Sequence, residues 1–391
     1  MPTPDPRLAA LPTPCLVLDE AKMTKNVGRL AARAAGLGVA LRPHLKTAKS
    51  VEVAHRVLTG GDGPATVSTL AEAEVFAAAG VRDILYAVGI APQKLDRVLA
   101  LRRTGCDLSV ILDSAAQAEA VAAASRRAGR PIPALIEIDC DGHRGGLSPD
   151  DPALVAVGRI LRDGGAELRG VMTHAGESYG VTGGEAHAAF AETERAAAVA
   201  AAAALRAADL PCPVVSVGST PTAHAARDLT GVTELRAGVY VFFDLVMAGI
   251  GVCRPEDVAL SVLTTVIGHQ AARGRVLIDA GWMALSRDRG TAALSRDRGT
   301  AAQAVDQGYG MVCDEAGTIL PDLIVTQANQ EHGIVERRPG TSAAMPDLHV
   351  GTRLRILPNH ACATAAQHEA YRVLPAAPGA PLAQWPRFGG W

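Results

Sequence analysis

The sequence predicts an α/β fold, in which a TIM-type (β/α)8 barrel is followed by a smaller β-rich domain. Between residues 20 and 255, about eight short apolar runs alternate with Ala-rich segments of helix-forming composition, many of which end in glycine. After residue 255 the pattern changes to alternating strands separated by Gly and Pro turns. We therefore assign residues 20–255 to the barrel and 256–391 to the β-rich domain, with a doubly wound sheet as the main alternative.

Eight apolar runs are typical of the barrel strands. In chain order they are VALRPHLK, PATVST, DILYAV, DLSVIL, ALIEID, LRGVMTH, CPVVSVGS and TELRAGVYV. The intervening segments, such as AEAEVFAAAG and AAQAEAVAAASRRAG, have the composition of helices. The opening run PTPCLVLDE also has a strand pattern, and we expect residues 1–19 to pair with the C-terminal sheet before the chain enters the barrel.

Composition excludes several classes of partner. The 391 residues are 48% apolar and carry a net charge of −2, which gives no electrostatic footprint for nucleic acid or a membrane surface. The first residues lack the pattern of a secretory signal, and no apolar run approaches the ~20 residues that span a bilayer. Seven scattered cysteines argue against a disulfide framework. We expect a cytoplasmic protein with reduced thiols.

The use of lysine singles out one segment. Only five of the 38 basic side chains are lysines, and two of them, Lys46 and Lys49, stand in RPHLKTAKS. A desolvated lysine can form a Schiff base with a carbonyl, which arginine cannot readily do. Lys46 ends the first barrel run, whereas we expect Lys49 to face solvent or a ligand carboxylate. An ordinary strand-end charge is the alternative for Lys46.

Other polar residues follow later barrel runs, where functional groups of such barrels stand. They are His143, Arg144, His174, Ser219, Thr220 and the segment 238–240. The loops SVGSTPT and RAGVY offer glycines, hydroxyls and backbone N–H groups to a phosphate dianion, although each glycine could simply form a turn. A lysine, a phosphate cradle and nearby arginines together indicate pyridoxal 5'-phosphate, whose ring stabilises a carbanion at Cα.

The β-rich domain carries a possible metal site. His360 and Cys362 in RILPNHACAT are two residues apart, so on a strand both side chains would point to one face. Imidazole with thiolate favours zinc, and two protein ligands leave positions for water or a substrate hydroxyl. A core histidine beside a buried cysteine is the alternative.

One nonapeptide occurs twice without change. ALSRDRGTA stands at 284–292 and again at 293–301. The unit is too short for a solenoid, so we interpret it as a local duplication at the surface. Either Asp288 or Asp297 could belong to a site, but only Asp288 closely follows the strand pattern VLIDAGW.

Taken in order, nine motifs resemble the fold-type III pyridoxal-phosphate enzymes of the D-serine dehydratase and D-threonine aldolase family, whose barrel is similar to that of alanine racemase. They are TPCLVLD, RPHLKTAKS, EIDCDGHRGG, THAGESYG, VSVGSTPT, RAGVYVFFD, DAGWMALSRD, NQEHG and PNHACAT. The repeat departs from the family pattern, which has DAG...ALS.D once. The resemblance implies a homodimer with its active site at the subunit interface.

The resemblance also implies roles for single residues. Lys46 would carry the Schiff base, and the metal would bind His360 and Cys362. The cofactor would contact Arg144, His174, Tyr179, Ser219, Thr220, Arg236, Gly238, Val239 and Tyr240, with Arg236 facing the pyridine nitrogen. Glu331 and His332 match a family motif near the site, without an assigned role.

The implied activity is β-elimination of water from a D-3-hydroxy amino acid, giving a 2-keto acid and ammonia. D-threo-3-hydroxyaspartate and D-serine are the candidate substrates, and the metal would be zinc, with manganese or magnesium as alternatives. Cysteine rather than aspartate at 362 favours a dehydratase over a D-threonine-type aldolase. An amino-acid racemase and a non-catalytic cofactor carrier are further alternatives. Arg287 or Arg289 could meet the second carboxylate of hydroxyaspartate.

Overall fold

The computed structural model describes residues 6–142, 144–289, 305–377 and 379–391. His143 and the whole second copy of the repeat, including Asp297, lie outside the described residues. The chain forms two compact units: Gly28–Gly238 with Gly389–Trp391, and the residues up to Val27 with Val239–Phe388. The domain boundaries expected from the sequence stay a prediction.

The chain opens with three elements. They are helix α1 (Pro6–Ala9), strand β1 (Cys15–Asp19) and helix α2 (Glu20–Gly36). The Asp19 carboxylate accepts a hydrogen bond from Lys22 N at 3.0 Å, which satisfies one of the free N–H groups at the start of α2. The chain passes from one unit into the other within α2.

The larger unit contains an eight-stranded parallel sheet. Its strands are β2 (Ala40–Pro43), β3 (Ala65–Val67), β4 (Asp83–Gly89), β5 (Asp107–Leu112), β6 (Pro133–Ile138), β7 (Glu167–Thr173), β8 (Val214–Val217) and β9 (Glu234–Ala237). Neighbours pair in sequence order from β3 to β9, and β9 pairs with β2. A parallel bridge between His44 and Thr66 joins the end of β2 to β3. The sheet is therefore a nearly closed barrel, which confirms the predicted fold class.

Helices alternate with these strands. They are α3 (Val51–Val57), α4 (Leu70–Ala78), α5 (Leu95–Arg103), α6 (Ala115–Ala128), α7 (Ala153–Asp163), α8 (Gly184–Ala207) and α9 (Thr220–Ala225). The ends of α6 show why the sequence folds this way. Ser114 accepts a hydrogen bond from Gln117 N at its start, and Gly129 ends it with a φ of 60°, a left-handed conformation that glycine adopts without strain.

The strands contribute both apolar and charged groups to the barrel. Leu85, Ile111, Leu135 and Met172, from four consecutive strands, form one buried cluster. Arg42 on β2 is buried as well, and it donates to Glu234 Oε2 at 2.8 Å and to Asp83 Oδ1 at 2.7 Å. A buried guanidinium needs such partners because an unpaired buried charge is strongly destabilising.

The second unit contains a nine-stranded sheet that includes β1. Its other strands are β10 (Leu260–Gln270), β11 (Arg275–Ile278), β12 (Met311–Asp314), β13 (Ile319–Ala328), β14 (Gly333–Arg337), β15 (Arg353–Leu357), β16 (Ala370–Leu374) and β17 (Ala383–Pro386). β1 pairs antiparallel with β10 and parallel with β16. All other pairings are antiparallel. Three short helices accompany the sheet: α10 (Leu245–Gly249), α11 (Trp282–Leu285) and α12 (Ala361–Ala365).

Two properties expected from composition can be compared with the structure. All seven cysteines are free thiols. Throughout the described ranges, every helix is too short or too polar to traverse a bilayer.

Candidate active site

Lys46 lies at the C-terminal end of β2, in a single 3-10 turn formed by residues Leu45–Thr47. His44 begins this turn, and its Nδ1 accepts a long hydrogen bond of 3.5 Å from Lys46 N. The other ring nitrogen, Nε2, lies 3.3 Å from Ser68 Oγ. Burial, together with the charges of Lys46 and Arg236, places the pKa of His44 well below its ordinary value. His44 is therefore neutral, and it fixes the backbone from which the Lys46 amine projects.

Lys49 has a different environment from the one expected. Its Nζ lies 3.2 Å from Oε1 of Glu72, whose side chain is only 1% exposed. The Glu72 carboxylate also accepts from Ser68 N at 3.0 Å and from Thr69 Oγ1 at 3.3 Å. The expectation that Lys49 faces solvent or a ligand is wrong, because its amine neutralises a buried carboxylate of the protein. Lys49 thus pairs with a buried carboxylate, whereas Lys46 stays the candidate for the Schiff base.

His174 stands directly after β7 and is neutral. Its Nδ1 lies 2.9 Å from Gly218 O. Burial is the main cause that lowers the pKa of His174 to about 3, and the charge of Arg144 acts in the same direction. A neutral ring beside a carbonyl must place its proton on Nδ1, so the Nε2 lone pair remains available. The Tyr179 ring lies 6.4 Å from the His174 ring, centroid to centroid, at 46°.

The two predicted cofactor arginines differ in exposure. The Arg144 side chain is 53% exposed, and its Nη2 lies 3.8 Å from Glu137 Oε1. Arg236 is buried, and it donates to Ser216 Oγ and, at 2.5 Å, to Thr173 O. Burial lowers the pKa of Arg236. Arg144 is thus the arginine with exposed guanidinium surface, whereas Arg236 is already bonded to protein acceptors.

The loop after β8 has the features of a phosphate cradle. Ser219 begins α9, and its Oγ accepts from Thr222 N at 3.2 Å and lies 2.9 Å from Ser178 Oγ. The hydroxyl of Thr220 is buried and has no hydrogen-bond partner among the described residues. Gly218 has a φ of +144°, and a Cβ there would lie 1.9 Å from Arg236 O. Only glycine fits at this position, because the backbone of Arg236 lies against it, and the phosphate contact stays a prediction.

The second predicted loop follows β9. A Cβ on Gly238 would lie 3.1 Å from Thr47 Oγ1, so a side chain there would press on the Lys46 turn. Val239 and Tyr240 come next in sequence and belong to the other unit. Tyr240 is fully buried, and its hydroxyl has no partner among the described residues. Burial raises the pKa of Tyr240, so its phenol is protonated.

Within the barrel unit these residues fit pyridoxal phosphate. The unit supplies a primary amine at a strand end, a buried hydroxyl without a partner in a glycine loop, and a neutral imidazole with a free lone pair. An unpartnered buried hydroxyl is costly, and a phosphate oxygen would satisfy it.

The metal pair is not on a strand. β15 ends at Leu357, His360 is the N-cap of α12, and Cys362 lies in the first helical turn. The strand geometry expected for this pair is therefore wrong. Pro358 lacks the N–H that would continue the sheet pairing, and the Ala-rich segment that follows favours helix. The two side chains meet nevertheless, because the Cys362 thiol hydrogen-bonds the His360 ring.

Neighbouring groups hold His360 in place. Asp288 Oδ2 lies 2.7 Å from His360 Nδ1. Asn359 Nδ2 donates to Asp288 O at 3.1 Å, and Asp244 Oδ2 accepts from Ala361 N at 3.0 Å. Across the described residues, no group of three or more His, Cys, Asp or Glu side chains is arranged to hold a metal. Histidine and thiolate are a donor set that suits zinc, so the pair fits a metal whose remaining positions are filled by water or substrate.

Glu331 and His332 lie in the exposed turn between β13 and β14. The same turn holds the start of α11, because Asn329 O accepts from Trp282 N at 2.9 Å. Farther along, the Arg287 guanidinium lies 4.3 Å from the centroid of the Trp282 ring.

Buried carboxylates were missed at the sequence level, among them Glu72, Glu137 and Glu194. Glu194 and Glu72 are 1% exposed and Glu137 is 9% exposed. Only weak sequence patterns pointed to these carboxylates. Glu72 stands three residues after Thr69, as in a capping box, and Glu194 stands in an Ala-rich helix.

The chain is similar to known proteins over almost its full length. Residues 18–246 match the family model "Alanine racemase, N-terminal domain", and residues 259–374 match "Putative serine dehydratase domain". The chain is 57% identical to the D-threo-3-hydroxyaspartate dehydratase of Delftia sp. (strain HT23), over 98% of this chain and 99% of that protein. It is 31% identical to the D-threonine aldolase of Arthrobacter sp., over 95% of this chain and 91% of that protein.

Solved structures give the same result. The chain superposes on the Delftia dehydratase with a TM-score of 0.93 and 56% sequence identity, over 98% of this chain and 99% of that chain. A cysteine-to-alanine mutant of that dehydratase has been solved in a metal-free form, with a TM-score of 0.93, 56% identity and the same coverage.

Proposed function

The chain belongs to the fold-type III pyridoxal-phosphate enzymes of the D-serine dehydratase and D-threonine aldolase family, and from this premise we propose that it is a dehydratase of D-3-hydroxy amino acids. Its products are a 2-keto acid and ammonia, and its preferred substrate is D-threo-3-hydroxyaspartate. The observation that carries the proposal is the 57% identity to the Delftia dehydratase across almost the full length of both chains.

The residues that would hold pyridoxal phosphate lie in the barrel unit, with two more directly after β9. Lys46 would be the covalent attachment point. Ser219, Thr220, Gly238 and Val239 would hold the phosphate, and the remaining contacts would come from Arg144, His174, Tyr179, Arg236 and Tyr240. The bound cofactor supplies an electron sink for negative charge at Cα. The Lys46 amine would act as the base that takes the proton from Cα.

His360 and Cys362 would hold a divalent metal, with zinc as the best match to imidazole and thiolate. When bound, the metal supplies Lewis acidity to the β-hydroxyl, which makes hydroxide a better leaving group. The protein would orient the imidazole: Asp288 Oδ2 lies 2.7 Å from His360 Nδ1 and accepts a hydrogen bond from it, so Nε2 would be the atom that binds the metal.

Arg287 is the better of the two candidates for the second carboxylate of hydroxyaspartate. Arg289 Nη2 already lies 3.4 Å from Asp306 Oδ2. The Arg287 guanidinium lies 4.3 Å from the centroid of the Trp282 ring, a cation–π contact that would leave its N–H groups for a carboxylate. Arg287→Met should raise KM for hydroxyaspartate by about tenfold or more and leave D-serine turnover within about twofold.

A D-threonine-type aldolase is the second candidate, because the chain is also 31% identical to such an enzyme over 95% of its length. Both reactions use the same amine and a metal-bound hydroxyl. They differ in the bond that breaks, Cβ–O for the dehydratase and Cα–Cβ for the aldolase.

The deciding experiment measures both sets of products. The purified protein, loaded with pyridoxal phosphate and zinc, is incubated with D-threo-3-hydroxyaspartate, D-serine or D-threonine, and ammonia and glycine are assayed. Ammonia with a keto acid, highest for hydroxyaspartate, is the expected result. Glycine with an aldehyde would overturn the proposal in favour of the aldolase. The Lys46→Ala variant serves as the blank.

We also propose a homodimer, on the grounds of the family alone. Size-exclusion chromatography with light scattering tests it, and a fully active monomer would contradict it.

A further inference from the structure

Glu194, on α8, is a buried carboxylate with no part in the proposed chemistry. Its side chain is 1% exposed. Oε1 accepts two backbone hydrogen bonds, from Ala175 N at 3.0 Å and from Gly218 N at 2.9 Å. Oε2 accepts from Thr222 Oγ1 at 2.8 Å. Moving a carboxylate out of water is costly, and burial raises the pKa of Glu194, whereas the bonds from these three donors act in the opposite direction and stabilise the charged form.

The three donors belong to two different loops. Ala175 follows β7, whereas Gly218 follows β8 and Thr222 lies in the first turns of α9. One carboxylate therefore ties the loop that carries His174 to the loop that carries the predicted phosphate contacts. His174 adds a further link between the two loops, because its Nδ1 lies 2.9 Å from Gly218 O while Glu194 accepts a hydrogen bond from Gly218 N.

The bond to Thr222 extends the effect to Ser219. Because the Thr222 hydroxyl donates its proton to Glu194, its oxygen accepts from Ser219 N, at 3.1 Å. In return, Ser219 Oγ accepts from Thr222 N at 3.2 Å. The residue between Ser219 and α9's Pro221 is Thr220, whose buried hydroxyl has no partner among the described residues. Glu194 thus fixes the backbone on both sides of the buried Thr220 hydroxyl.

We propose that Glu194 is a positioning residue that shapes the loop 218–222 for the phosphate ester of pyridoxal phosphate, and so makes the protein select the phosphorylated cofactor over pyridoxal. The inference rests on the proposed function, because it takes the cofactor from there. It assigns to Glu194 a geometric role as a triple acceptor. A glutamine of the same shape keeps the two bonds from backbone N–H groups, and its NH2 group would donate to the Thr222 oxygen instead of accepting from it.

The test compares two ligands that differ only in the phosphate. Dissociation constants of full-length protein for pyridoxal phosphate and for pyridoxal are measured from the absorbance of the bound ligand in wild type, Glu194→Ala, Glu194→Gln and Thr222→Val. Glu192→Ala is the matched control, since Glu192 lies on the same helix with its carboxylate at the surface, paired with Arg195 at 2.6 Å. Thermal unfolding of each variant reports on the fold.

For Glu194→Ala we expect pyridoxal phosphate to bind about tenfold to hundredfold more weakly and pyridoxal to change by less than about threefold. Thr222→Val should lower the ratio of the two dissociation constants, that for pyridoxal divided by that for pyridoxal phosphate, by about threefold to tenfold. This variant keeps the inference testable if Glu194→Ala does not fold. Glu194→Gln should restore the ratio to within about threefold of wild type, because its amide oxygen can accept both N–H groups. The control should match wild type.

Equal losses for both ligands would overturn the inference, since they would show a role in stability alone. An unchanged ratio in both Glu194→Ala and Thr222→Val would also overturn it. If wild type itself binds no pyridoxal phosphate, the proposed function fails first, and that result is distinct from either of the others.

Discussion

Asp288→Asn tests whether the hydrogen bond at 2.7 Å between Asp288 Oδ2 and His360 Nδ1 prepares the imidazole for metal. A carboxylate can only accept, so it holds the proton on Nδ1 and leaves the Nε2 lone pair for a ligand. An amide of the same shape can present either its oxygen or its NH2 group. The substitution therefore removes the control of the tautomer with almost no change in volume.

The expected loss of metal affinity follows from this single hydrogen bond between Asp288 and His360. Removing the partner that orients a metal-binding histidine weakens metal binding by about 10–100-fold, which is about 1.4–2.7 kcal/mol. The short distance and the charge of Asp288 place the expected value in the upper part of this range. The fold should persist, because the backbone oxygen of Asp288, which Asn359 bonds at 3.1 Å, is unchanged.

The assay is competition for zinc between the protein and a chromophoric chelator. The duplicated nonapeptide provides a matched control, because Asp297→Asn makes the same change in the same local sequence. We expect wild-type affinity for Asp297→Asn. Zinc binding by Asp288→Asn within about twofold of wild type, while Cys362→Ala loses zinc, would refute the reasoning. An equal loss of zinc affinity in Asp297→Asn would also refute it.

Four further outcomes are expected. Lys46→Ala should lower turnover by about 10³-fold or more without changing the melting temperature, as steady-state assays and calorimetry would show. Lys49→Met should instead lower the free energy of unfolding by about 2 kcal/mol, and a urea double-mutant cycle with Glu72→Gln should show that the two losses do not add. The pKa of His174 is lowered to about 3 in the folded state against about 6.5 unfolded, so between these values the unfolded chain binds the extra proton and acid destabilises the fold by up to about 1.4 kcal/mol per pH unit. Urea unfolding of His174→Gln between pH 6.5 and 5 should therefore show a flatter slope than wild type, and an equal slope would contradict the assignment. Cys362→Ala should stop ammonia release while keeping the absorbance of the bound cofactor, whereas full turnover in metal-free protein would contradict the metal's role.

The barrel could be predicted from the sequence because its signals are local. Each strand is a short apolar run, and each helix carries its own start and stop residues, such as Ser114 and Gly129 around α6. The strand-end position of Lys46 follows from the same pattern. The family resemblance added roles that no local pattern contains.

What was mistaken or missed depends on contacts between distant residues. His360 and Cys362 were assigned to a strand because the alternating pattern of β15 was extended past Pro358, where the sheet pairing stops. Glu72 and Glu194 went unnoticed because the Lys49 amine that pairs with Glu72, and the three donors to Glu194, lie in other segments of the chain. Glu194, for example, meets Gly218 N 24 positions away. Neither partner is visible in a periodic pattern of one segment.

The pairing of β1 has a consequence for biosynthesis. Val17 pairs with Ser261 on one side and with Arg372 on the other. The second partner is roughly 350 residues away, so at about 5–20 residues per second the ribosome delivers it roughly 20–70 s after the first strand. Until then β1 has an unpaired edge of the kind that templates aggregation. We therefore expect a circular permutant that moves β1 behind β17 to aggregate less during expression.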